Sequence, residues 1–187
     1  TADDHLVLWH DDDLPAPGRK LPIARTTLAA LRAVDLGGGE RIATLAEGMD
    51  LARGRAGLMI DLKAGGLARD LVATARRCDF APIVACGHYW GSLRRIKLLD
   101  PAIGVAFTLH RTWRRPLGAI QIERGHADAV TVNWRIIDQQ LVRRYHACGV
   151  AVLAWTVDDP AQMRRLLALG VDGLTSNRAD LFAAVGD

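Results

Sequence analysis

Apolar and polar positions along this chain fall in blocks that repeat. In the last third, an apolar run over residues 150–157 gives way to Asp158, Asp159 and Pro160, and then to Met163, Leu166, Leu167 and Leu169 at helical spacing. The carboxylate of Asp159 can accept from the orphan amides of a first helical turn, and Pro160 has the fixed φ suited to the first helical position, so a helix is predicted to start there. Gly170 supplies the left-handed residue that ends it, and residues 171–175 read as a short strand. Strand, helix and strand in this order make a βαβ unit.

The same unit recurs upstream. Leu141, Val142 and Tyr145 form a helical stripe closed by Gly149, behind a strand over residues 129–132. Leu67, Leu71, Val72 and Ala75 form another, between apolar runs at 58–62 and 83–85; with residues 103–108 this predicts six parallel strands. The runs lack strict alternation, as expected for strands covered on both faces. Such an order suits an open doubly wound sheet or a closed eight-unit barrel. No glycine-rich phosphate loop follows any strand, which removes the best mark of a nucleotide-binding sheet and favours the barrel. A full barrel takes roughly 250 residues. The 187 residues here suit one domain that opens in the middle of a polar turn, two strand–helix units short of a barrel, with an upstream portion expected.

Composition narrows the picture. Half of the residues are hydrophobic, enough for a sizeable core, yet no apolar run is long enough to span a membrane and no signal-peptide pattern opens the chain. No integral membrane segment is expected; localisation is left open, with the cytoplasm favoured. The net charge of +3 comes from arginines in pairs along helical stretches, and only 5% of residues are aromatic, so solvated helix faces are expected and no nucleic-acid partner. Cys78, Cys86 and Cys148 match neither a zinc site nor a redox pair and are expected as buried free thiols.

Candidate chemistry lies in two places. A polar turn, Thr1-Ala2-Asp3-Asp4-His5, leads into an apolar strand over residues 6–9 that delivers His10 followed by Asp11, Asp12 and Asp13. This suits a catalytic histidine, a solvated loop or a cap. In Leu58-Met59-Ile60-Asp61-Leu62-Lys63, a carboxylate and an amine two residues apart share one face near the C-terminal end of a strand, the end at which barrels place their active sites. An ion pair closing the strand is the alternative. Asn133 and Trp134 directly follow another strand, and Asn133 can donate to a substrate oxygen. His88 lies just past a strand end, whereas His110, His126 and His146 read as loop or helix residues.

The order of these motifs resembles that of the glycerophosphodiester phosphodiesterase family. Its His-Asp strand after a Lys-Asp-Gly turn is similar to Thr1 through Asp11, and its Glu-x-Lys strand to Asp61-Leu62-Lys63. Its closing signature is similar to Gly149, Trp155-Thr156-Val157 and Gly170-Val171-Asp172-Gly173 through Thr175. The resemblance implies a TIM-type (βα)8 barrel, of which this chain holds the last six barrel strands plus the His-Asp hairpin arm, incomplete at the N-terminus. It implies a divalent cation, Mg²⁺ or Ca²⁺, with Asp61 as a metal ligand. His10 is implied as the catalytic acid that protonates the leaving alkoxide, Lys63 as the partner of the phosphate, and Trp155 as an apolar wall beside the glycerol. The family's His-Arg strand and Glu-x-Asp metal pair precede the His-Asp motif and are expected upstream of Thr1. Departures are Asp61 for glutamate, Gly87-His88 for Ser-Phe, and Ser176 for an aspartate.

The implied function is metal-dependent hydrolysis of glycerophosphodiesters to sn-glycerol 3-phosphate and an alcohol, with a small-molecule phosphodiester as the partner. Two alternatives stay open: a catalytically inactive barrel kept as a binding or structural domain, and a related barrel phosphodiesterase acting on phospholipid head groups.

Overall fold

The computed structural model describes residues 1–109 and 127–185. The chain opens with an arm. Residues 6–8 run antiparallel to residues 43–45, joined by backbone bonds from Leu8 N to Ala43 O and from Leu45 N to Leu6 O, with a single bridge at Val7 and Thr44. The strand predicted over residues 6–9 is therefore one bridge, because only this short stretch finds a backbone partner. A two-stranded hairpin follows, β1 (Asp13–Ala16) and β2 (Arg19–Pro22), turned at Gly18, whose φ of +71° favours glycine. Leu14 and Leu21 from the hairpin, Leu31 from the short helix α1 (Leu28–Arg32), Val34 and Ile42 bury one another in a small core of the arm's own.

Helix α2 (Leu45–Ala52) begins at a capping box. Thr44 Oγ1 accepts the Glu47 N–H, and the Glu47 carboxylate accepts the Thr44 N–H in return, which lowers the Glu47 pKa from the ordinary carboxylate range. Six parallel strands and four helices follow among the described residues, in the order β3 (Leu58–Leu62), α3 (Ala68–Arg77), β4 (Ile83–Gly87), α4 (Trp90–Leu99), β5 (Gly104–Leu109), β6 (Ala129–Asn133), α5 (Gln139–His146), β7 (Ala151–Trp155), α6 (Pro160–Ala168) and β8 (Gly173–Leu174). They pair in sequence order, β3-β4-β5-β6-β7-β8, as successive staves of a barrel do. The predicted start of α6 is capped by Asp159, and the start of α5 likewise by Asp138; they accept from Gln162 N and Leu141 N at 2.8 Å each. The last strand is shorter than expected because its ladder is regular over two residues only; Asp172 N to Val152 O, Thr175 N to Ala154 O and Val157 N to Thr175 O extend the pairing irregularly beyond them.

Strand alternation assigns the two faces. The outer face packs Leu62, Ala85, Val105, Phe107, Val130, Val132, Val152 and Ala154 against the apolar stripes of the helices in the principal core. The inner face gathers Cys86, Ala106 and Ala129, with Val84, Ala151 and Leu153 against them. Among the cysteines only Cys86 is buried; Cys78 is half-buried and Cys148, at the end of the α5 turn, is exposed, so the expectation of three buried thiols is corrected.

At the N-terminal ends of the strands two aspartates repeat one device. Asp128 N donates to Val105 O while its carboxylate accepts the Val105 N–H at 2.7 Å. Asp172 does the same to both backbone groups of Val152, at 2.7 Å for the carboxylate bond. Each aspartate also meets a basic side chain from the helix before the clamped strand, Lys97 on Asp128 and His146 on Asp172, both at 2.8 Å. The Gly-Val-Asp-Gly stretch thus serves strand pairing, at the end of the sheet remote from the strands' C-termini.

Candidate active site

The C-terminal ends of the inner face carry the polar groups. On β3 the alternation that buries Leu62 outward turns Met59, Asp61 and then Lys63 inward, and Lys63 Nζ lies 2.7 Å from Asp61 Oδ2. Both side chains stay open to water, so this pair is accessible rather than a sealed strand-end ion pair. Gly87 closes in beside it. With φ of +131°, it runs so near β3 that a Cβ there would stand 3.0 Å from both Asp61 Oδ1 and Leu62 O. Gly87 is therefore the residue type this approach needs, which accounts physically for one of the departures from the family pattern.

Cys86, register partner of Asp61, is buried on the same face. Burial and the Asp61 carboxylate push its thiol up to about 12, against a smaller opposing effect of Lys63, so it stays a neutral thiol. Farther round, the buried hydroxyls of Thr108 and Thr131 satisfy one another at 2.8 Å. Asn133 and Trp155 end β6 and β7 as register partners. Asn133 Oδ1 accepts the Arg135 N–H at 3.0 Å, and the Trp155 indole Nε1 is buried with no hydrogen-bond partner among the described residues.

Asp158, not singled out from the sequence, holds the loops after β7 and β8 together. Its carboxylate accepts from Asn177 Nδ2 at 2.9 Å, and from Asn177 N and Ser176 Oγ at 2.8 Å each; these bonds hold its pKa below the ordinary carboxylate value. Ser176, standing where the family pattern has an aspartate, thus hydrogen-bonds to a carboxylate supplied from the neighbouring loop. The signal was the Asp158-Asp159 doublet: the second residue caps α6, which leaves the first free for this clamp.

His10 lies on the arm before the hairpin, well exposed, with its Nδ1 2.7 Å from Asp11 Oδ1. That contact is local, and no hydrogen bond or ion pair joins it to Asp61, Lys63, Asn133 or Trp155. His88 is exposed just past β4, His146 belongs to the Asp172 clamp, and His110 and His126 lie outside the described residues. A hard divalent cation takes six or more oxygen ligands. Among the described residues no three His, Cys, Asp or Glu side chains converge in a way that could hold one, and Asp61 supplies a single carboxylate already paired with Lys63. The described residues do not make up a complete cation site.

Six sequentially ordered parallel strands, alternating with helices over most of the described residues, define an α/β protein consistent with the TIM-barrel type, a fold whose sites lie at the C-terminal rim of the strands. A family model described as the glycerophosphoryl diester phosphodiesterase family matches residues 1–181. A probable glycerophosphodiester phosphodiesterase of Mycobacterium tuberculosis is 32% identical over 99% of this chain and 75% of its own length. A glycerophosphodiester phosphodiesterase of Caldanaerobacter subterraneus is 29% identical over 95% of this chain and 78% of its own. The same fold is seen in an Oleispira antarctica phosphodiesterase solved with its product sn-glycerol-3-phosphate, with a TM-score of 0.86 at 23% identity, covering 100% of this chain and 82% of the other. The chain belongs to the glycerophosphoryl diester phosphodiesterase family.

Proposed function

We propose that this protein hydrolyses glycerophosphodiesters to sn-glycerol 3-phosphate and an alcohol. The observation that carries the reading is the Asp61–Lys63 pair, open to solvent at the C-terminal end of β3, in a chain that matches the family over residues 1–181. A phosphodiester is an anion, and charge accumulates on its oxygens as water attacks phosphorus; an accessible ammonium at the rim answers that charge. Lys63 takes this role. As the phosphorus–oxygen bond to the alcohol breaks, the electron pair leaves on an alkoxide that needs a proton near neutral pH, which suits a histidine; His10 is assigned here. Trp155 offers an apolar wall to the glycerol and Asn133 a donor to a substrate oxygen. Asp61 is assigned as one ligand of a divalent cation, Mg²⁺ or Ca²⁺, which when bound neutralises charge on the phosphoryl oxygens.

We read residues 1–187 as one glycerophosphodiester phosphodiesterase-like domain, its six parallel strands being staves of a TIM-type barrel. A second reading, a barrel that binds without turnover, is favoured by the lack of a converging metal-ligand group among the described residues. Incubation with glycerophosphocholine and Mg²⁺ or Ca²⁺, with enzymatic detection of sn-glycerol 3-phosphate, separates the two. Turnover abolished by chelation supports the first reading. Saturable binding with no product supports the second.

A further inference from the structure

The loop that follows Lys63 is held from the next unit of the sheet. Residues 64–66 lie between the end of β3 and the first turn of α3, outside strand and helix, and Gly65 and Gly66 have no side chains with which to anchor it. Two residues beyond β4 do so instead. Ser92 Oγ, half-buried in the first turn of α4, accepts the Gly66 N–H at 3.1 Å. Tyr89, the residue before α4, lays its ring against Gly65 so closely that a Cβ there would stand 3.3 Å from Cδ1 and 3.5 Å from Cε1. The glycines suit these contacts: Gly66 holds a φ of +83°, and a side chain on Gly65 would crowd the ring. Tyr89 keeps 43% of its surface in water, so it adds little to the core, and its contact with Gly65 falls beside the candidate site. Lys63 has need of such support. Its ammonium rides on a long flexible stem, and its partner Asp61 Oδ2, at 2.7 Å, is itself open to water, an ion pair that holds a side chain weakly. The direction in which the stem leaves β3 depends on where residues 64–66 run. Gly87 already closes on Asp61, so the turn from β4 into α4 bears on both members of the pair.

We propose that Tyr89 and Ser92 are positioning residues for Lys63, clamping the loop over residues 64–66 so that the ammonium is set at the rim where a phosphoryl oxygen arrives. This rests on the phosphodiesterase reading, which gives Lys63 the phosphate. Neither residue touches the substrate in this assignment. Both act through the backbone of the loop, one by a hydrogen bond and one by a ring face.

The test is a double-mutant cycle on glycerophosphocholine with Mg²⁺ or Ca²⁺. Ser92→Ala removes the acceptor and Tyr89→Ala the ring. Each lowers kcat by roughly tenfold or more while KM moves less, because charge on the phosphoryl oxygens grows toward the transition state. Ser92→Thr keeps the oxygen and Tyr89→Phe the ring, and both stay close to wild type. In a Lys63→Met background neither alanine variant lowers kcat further, since the group they position is already gone. Hydrogen exchange at the Gly66 amide speeds up in Ser92→Ala while β3 stays protected. Equal losses with and without Lys63, or a wild-type kcat in both alanine variants, overturn the proposal. If the wild-type protein releases no sn-glycerol 3-phosphate, the phosphodiesterase reading falls instead, and the same cycle on calorimetric affinity for inorganic phosphate decides the clamp. Non-additive losses of affinity then support it, and additive losses or no binding overturn it.

Discussion

Lys63 Nζ and Asp61 Oδ2 stand 2.7 Å apart on one face of β3, yet both side chains keep more than a third of their surface in water. An ion pair so exposed contributes about 0–1 kcal/mol to stability. Lys63→Met should therefore leave thermal unfolding within about 4 °C of wild type, while kcat/KM on glycerophosphocholine falls roughly 10²-fold or more. A melting curve and steady-state kinetics on one preparation check this. Activity retained within a few-fold would return the pair to a surface role.

Asp61→Asn keeps the volume and removes the charge. Activation by Mg²⁺ or Ca²⁺ should require a higher metal concentration in the variant, with the fold nearly intact. A metal titration of activity that superimposes on the wild-type curve would exclude Asp61 as a ligand.

Gly87 tests the same corner from the neighbouring strand. Alanine there meets both a φ of +131° and the 3.0 Å approaches to Asp61 Oδ1 and Leu62 O, neither of which gives way cheaply. Gly87→Ala should destabilise by about 1–3 kcal/mol and lower activity as the carboxylate is displaced. Chemical denaturation and turnover measured together detect the coupling.

His10 carries the proton-donor assignment. His10→Ala should reduce turnover by roughly 10²–10⁴-fold for diesters of poor leaving alcohols, and much less for a nitrophenyl diester, whose leaving group needs no proton. Equal losses on both substrates would remove the role.

The Asp172 clamp predicts a pH dependence of stability. Burial alone would raise its pKa from the usual 3.8, but the Val152 N–H and His146 together outweigh this and lower it. A carboxylate with a lowered folded pKa contributes stability that is present above about 3.8 and lost as pH falls through its folded value below that. The melting-temperature difference between wild type and Asp172→Asn should hold steady above about pH 5 and shrink as the solution is acidified below pH 3.8. Asp172→Ala should cost about 1–2 kcal/mol at neutral pH, because the Val152 N–H at the start of β7 loses its acceptor.

The repeated strand and helix blocks were legible because buried parallel strands need uninterrupted apolar runs and their helices need 3.6-residue stripes; Asp159, Pro160 and Gly170 marked α6 to the residue. The shared face of Asp61 and Lys63 followed from strand period alone. What the sequence concealed was set by partners distant along the chain. Residues 6–9 read as a strand by pattern, but residues 43–45 meet them at a single bridge. Asp158 stood out from no local pattern beside the cap residue Asp159; its partners Ser176 and Asn177 come to it from beyond β8. Asp172 belonged to a recognisable signature, yet its bonds to both backbone groups of Val152 depend on register, which no local pattern encodes.

The paired aspartates Asp128 and Asp172 have a further meaning for how such a molecule changes over time. Each recognises both backbone groups of one residue in the preceding strand, so each checks that the correct neighbour has arrived, and does so at the end of the sheet away from the reactive groups. The pairing of β5 with β6 and of β7 with β8 is thus fixed at the keel of the molecule. At these two pairings the rim shares that duty with the keel, so a rim loop can change to suit a new substrate while the strands beneath it keep their neighbours.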